Sequence, residues 1–121
     1  MKLEGILEKY NVGGELTVDQ PNYKIHDNTY LKNLTVSNVI LKAGKETYKH
    51  SHPINDEIYI YHSGKGYMTV GEDKLDVGPG TIVLVNGKKE HQTFNTGNED
   101  MQFTMVFDNI GKTPEDMKEE N

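Results

Sequence analysis

The sequence contains no cysteine, which excludes disulfide cross-links and thiolate metal ligands. Arginine is absent too: all thirteen basic residues are lysine. The chain therefore lacks the planar guanidinium fork that so often grips carboxylate or phosphate. An anionic partner has to be met by lysine, tyrosine, threonine or backbone donors. No apolar run approaches the length of a membrane span, and Met1-Lys2-Leu3-Glu4-Gly5 opens no secretory apolar region, so a cytoplasmic protein without membrane contact is expected. A phosphate-binding glycine loop, a dinucleotide fingerprint, a GxSxG nucleophile turn and a cysteine-based zinc motif are all missing. The net charge of −6 argues against a nucleic-acid surface.

What is present suits one small β-rich domain. At 121 residues, with 34% hydrophobic residues, the chain can bury a single core. Leu34 to Leu41, LTVSNVIL, is rich in β-branched residues and reads as a strand. Tyr67–Val70 and Lys74–Val77 flank a turn at Gly71-Glu72-Asp73 and form an expected tight hairpin. Thr81 to Val85 is almost continuously apolar and reads as a buried strand. His91, Thr93 and Asn95 share one face of a further strand, with Gln92 and Phe94 on the other. Met101, Phe103, Met105 and Phe107 alternate with other residues in the last strand. Glu15–Val18 is a short extended piece, whereas Tyr23–Asn33 shows no decisive pattern. Short strands between Gly and Asn turns indicate a sandwich or barrel. Met1–Gly14 reads as a short helix or irregular arm, and Thr113-Pro114-Glu115-Asp116 carries the signals of a brief tail helix.

The chemistry concentrates between Gly44 and Gly64, GKETYKHSHPINDEIYIYHSG. His50 and His52 are two apart and face the same way if the segment is extended. Pro53-Ile54-Asn55-Asp56 is built from turn residues, so Glu57 is expected to open the returning strand of a hairpin. Two imidazoles and a carboxylate would then converge. These ligand types suit Zn, Fe, Mn or Ni, and a histidine from elsewhere would complete the set. Tyr48, Tyr59 and Tyr61 share the parity of the ligands and are expected to line the cavity. His62 has the opposite parity and should face away, and His26 is read as structural.

The spacing of Gly44, His50-x-His52, Glu57 and Gly64 resembles the first motif of the cupin superfamily at every defined position. Gly80, His91 and Asn95 fall in register with the second motif, while Asn86 stands where that motif has proline and Lys88 where it has glycine. The resemblance is to small single-domain cupins, and it implies an all-β fold: a jelly-roll barrel over residues 34–110. Residues 1–33 would supply an N-terminal arm and first strands of the same domain, and residues 111–121 an exposed tail with its short helix. It further implies a divalent transition metal on His50, His52, Glu57 and His91, with positions open to water or a small-molecule substrate.

The run Thr47-x-x-His50-x-His52-x-x-x-x-Glu57-x-Tyr59 is similar to the first signature of cupin-type phosphoglucose isomerases, although Asn86-Gly87 stand where the second signature has paired prolines. Three functions follow as expectations: a metal-dependent isomerase or lyase of a sugar-like or hydroxy-carbonyl substrate, an iron-dependent dioxygenase, or a non-enzymatic binding module. For the first, Glu57, Tyr48 and Tyr59 are the candidate catalytic residues. Pairing of two copies into a homodimer would cover exposed strand edges.

Overall fold

A computed structural model describes residues 1–2, 11–50 and 55–109. The expected arm helix and the tail helix lie wholly or mostly outside these residues. Nine strands and no helix occur among the described residues: β1 (Glu15–Asp19), β2 (Tyr23–Asn28), β3 (Leu34–Leu41), β4 (Glu57–Ser63), β5 (Gly66–Val70), β6 (Asp73–Val77), β7 (Ile82–Val85), β8 (His91–Asn95) and β9 (Met101–Asp108). They form a six-stranded sheet in the order β1-β2-β3-β9-β4-β7 and a three-stranded sheet in the order β6-β5-β8. Every described ladder is antiparallel. The fold is the all-β jelly roll implied by the motifs.

Alternation decides which side chains meet between the sheets. The inward positions of β9 are Met101, Phe103, Met105 and Phe107, all buried. They pack with Val39 and Leu41 of β3, Tyr59 and Tyr61 of β4, and Met68 of β5 in one continuous core. Burying this apolar area is the main force holding the two sheets together. The segment Tyr23–Asn33, indistinct in sequence, supplies β2, whose Tyr23, Ile25 and Asp27 face inward and are buried. Asp27 is tolerated there because hydroxyls satisfy its carboxylate: Thr17 Oγ1 donates at 2.6 Å and Ser37 Oγ donates to the other oxygen.

Two expectations are corrected. The apolar run ending at Val85 is not a buried strand: β7 is an edge strand that alternates, with Val83 and Val85 inside and Ile82 and Leu84 60% and 73% exposed. Continuous apolarity reflects an outward face that is itself apolar. Nor do His50 and Glu57 belong to one hairpin. Glu57 opens β4 and pairs with Val85 and Phe107 in the large sheet. His50 instead makes an isolated bridge with His91 beside the small sheet. His50 and Glu57 are thus held by different sheets, and their side chains meet between them.

Candidate metal centre

Three of the four expected ligands converge. One ligand atom each from His50, Glu57 and His91 lie within 4.8 Å of one another. His91 Nε2 stands 3.5 Å from Glu57 Oε2, and the imidazoles of His50 and His91 meet edge to face with centroids 4.2 Å apart. Glu57 and His91 are almost completely buried and His50 is half-buried. His52 lies outside the described residues.

Local backbone geometry builds this trio. His50 N donates to His91 O at 3.2 Å, and His91 N donates to His50 O at 2.9 Å. This two-bond bridge sets the two histidines side by side although forty residues of chain separate them. Each ring is then oriented by its own chain: His50 Nδ1 lies 2.9 Å from Tyr48 O and His91 Nδ1 lies 2.9 Å from Lys89 O. A carbonyl oxygen only accepts, so Nδ1 carries a proton in both rings and Nε2, which takes no part in that bond, is the candidate ligand atom. This is the outer-shell arrangement typical of metal-binding histidines. Glu57 supplies the anionic oxygen that a divalent ion requires, and the absence of any thiolate favours a borderline or hard metal.

The space beside the trio is small. A cavity of about 10 Å³ is bordered by His50, Tyr59, His91, Thr93, Phe103 and Met105, among others. It has room for an ion or one water and no more. The donor set and the space therefore fit a divalent metal. A larger cavity, about 320 Å³, lies against Gly13, Thr17, Asp27 and Tyr30 and shares no lining residue with the trio.

The tyrosines separate into three roles. Tyr59 is buried, borders the cavity and meets the His91 ring edge to face at 5.7 Å. Tyr61 is buried beyond the cavity lining, its hydroxyl 2.8 Å from Thr93 Oγ1 and 3.4 Å from Met68 Sδ. Burial pushes its phenol well above the ordinary tyrosine range, the Thr93 hydrogen bond pulling weakly the other way. It stays neutral and serves packing. Tyr48 does not line the cavity: it is 53% exposed, with its ring edge-on to Tyr23 at 5.6 Å. The strand parity used to place it does not hold, because residues 47–49 belong to no strand.

Sequence reasoning did not single out Gln92 as part of the site, since its parity is opposite to that of His91. It nevertheless borders the cavity, and its Nε2 donates to Thr47 O at 2.7 Å. Thr47 Oγ1 accepts from Thr93 N at 3.0 Å, which ties the first-motif segment to β8. Outside the barrel, His62 faces away as expected, with Nε2 2.6 Å from Thr104 Oγ1. His26 sits on β2 opposite Asn38.

Comparison with known proteins agrees with this fold. The chain is 31% identical over 75 residues to an uncharacterised protein of Methanocaldococcus jannaschii, covering 61% of this chain and 60% of that one. It is 38% identical over 76 residues to the glucose-6-phosphate isomerase of Thermococcus kodakarensis, covering 54% of this chain and 40% of that one. In both, the match spans less than two thirds of the relative's length. The structure of KdgF from Halomonas sp. superposes with a TM-score of 0.69 at 16% identity, over 75% of this chain and 82% of that one, a likeness of fold. Residues 37–107, more than half of the chain, match the cupin domain, and the protein belongs to the cupin family.

Proposed function

We propose that this cupin is a metal-dependent isomerase or lyase acting on a sugar-like or hydroxy-carbonyl small molecule, with a divalent transition metal held by His50, His52, Glu57 and His91. The observation that carries the reading is the gathering of His50, Glu57 and His91 donor atoms within 4.8 Å. Similarity to an isomerase of a phosphorylated sugar supports the reaction class. A bound divalent ion would supply Lewis-acid polarisation of a substrate oxygen.

The protein's own residues set the conditions around it. Tyr48 O and Lys89 O fix the imidazole orientations, so the ligand atoms are preorganised before any ion arrives. Phe103 and Met105 close the cavity wall and keep bulk water out. Tyr59, whose ring borders the cavity, is the candidate hydrogen-bond donor to substrate, and Glu57 is the candidate proton acceptor. Tyr48, on the exposed side of His50, is a candidate contact for the part of the substrate outside the cavity.

The test is elemental analysis of the purified protein beside His91→Ala and His52→Ala variants. One equivalent of manganese, nickel or zinc that both variants lose supports the reading, and sugar isomerase and lyase assays follow. Iron would favour a dioxygenase, to be checked by oxygen uptake. Metal content unchanged by either substitution would sink the site. We also propose a homodimer, supported by the exposed apolar outer face of β7 at the sheet edge.

A further inference from the structure

Lys88 is the one residue other than glycine, among those described, with a left-handed backbone, at φ 76°. It occupies the position at which the second motif has glycine, the residue that takes this conformation without steric penalty. Gly87 beside it does not have a positive φ. The chain thus preserves the turn and places a lysine in it at a conformational cost.

That turn is fastened to both sides of the metal centre. Gly87 N donates at 2.9 Å to Oδ1 of Asp56, the neighbour of Glu57. Lys89 O accepts from His91 Nδ1 at 2.9 Å. Lys88 lies between these two anchors and is exposed. The cavity itself holds about 10 Å³, so any substrate larger than an ion extends beyond it, and the turn is the segment that leads directly into His91. The charged residues next to the trio along the chain are Lys88, Lys89 and Glu90 of the turn, Asp56 beside Glu57 and Lys49 beside His50, all exposed. With no arginine in the chain, lysine is the permanently charged donor available to an anionic group there, beside tyrosine, threonine and backbone donors.

We propose that Lys88 is a specificity-determining residue that binds a carboxylate or phosphate oxygen of the substrate at the rim of the metal centre. A backbone outlier retained next to a candidate site is the kind of strain that function sustains. The proposal rests on the metal reading above.

The experiment loads the full chain and its variants with Mn²⁺ and titrates each by calorimetry with inorganic phosphate and, separately, with glycolate. Lys88→Gly is expected to bind Mn²⁺ at unchanged stoichiometry and to melt about 3–5 °C higher as the strain is released. It should bind the favoured anion about tenfold more weakly, the loss of one charge-assisted contact. Lys88→Arg should keep most of the affinity, and Lys49→Ala should match wild type. The anion affected, phosphate or glycolate, identifies the substrate's charged group. Unchanged anion affinity in Lys88→Gly, or no binding of either anion by loaded wild type, overturns the proposal while leaving the metal centre standing. Failure of wild type to take up Mn²⁺ or any other divalent metal defeats the metal reading instead, and this proposal with it.

Discussion

Tyr61 and Thr93 share one hydrogen bond in the interior, 2.8 Å long. Tyr61→Phe leaves the Thr93 hydroxyl without that partner in a dry core, and a loss of about 1–2 kcal/mol is expected in urea unfolding. Lys88→Gly acts in the other direction. Removing the side chain from a left-handed position should stabilise the fold by about 1 kcal/mol, measured the same way. His62 gives a pH dependence. Partial burial lowers its pKa from the ordinary value of 6.5, so below pH 6.5 the unfolded chain binds more protons than the folded one. The stability this contributes is present above that pH and is lost as pH falls towards the folded-state pKa. Denaturation midpoints followed from pH 7.5 downwards should therefore fall less steeply in His62→Asn than in wild type.

At the scale of elements, the close approach of β5 and β8 depends on Gly66, where a Cβ would lie 1.9 Å from Phe94 O. Gly66→Ala should cost about 2–4 kcal/mol by chemical denaturation, because the backbone of one strand has to move. The strands that carry a clear residue pattern were legible in the sequence: LTVSNVIL is β3, from Leu34 to Leu41, and the alternation from Met101 to Phe107 is the inward face of β9. Three of the four candidate ligands were legible through the motif spacing, since His50, Glu57 and His91 do converge. What could not be read has physical causes. The β2 segment mixes polar and aromatic residues because its buried Asp27 is satisfied by hydroxyls from two other strands, a long-range fact. Periodicity cannot distinguish an edge strand with an apolar outer face from a buried one, and β7 is such a strand. Parity placed Tyr48 in the cavity, but parity applies only inside a strand.

For the molecule as a whole, the proposed homodimer makes a specific demand on β7. The outward residues Ile82 and Leu84 pair across the ladder with Ile60 and Ile58 of β4, so they form one apolar patch at the sheet edge. Leu84→Lys should convert a dimer into a monomer in multi-angle light scattering with little change in the inward core. A strict monomer in the unsubstituted protein would remove the dimer reading. The sheet order also bears on how the chain reaches its fold. β9 is the last described strand, yet it lies in the interior of the large sheet, between β3 and β4. Until β9 inserts, the sheet exists as two unconnected halves, β1-β2-β3 and β4-β7. During synthesis both halves leave the ribosome before the strand that joins them. Closure of the barrel is therefore a late, long-range event, and a nascent chain stopped at Asn95 would expose the unpaired edges of β3 and β4, a target for chaperones rather than a functional protein.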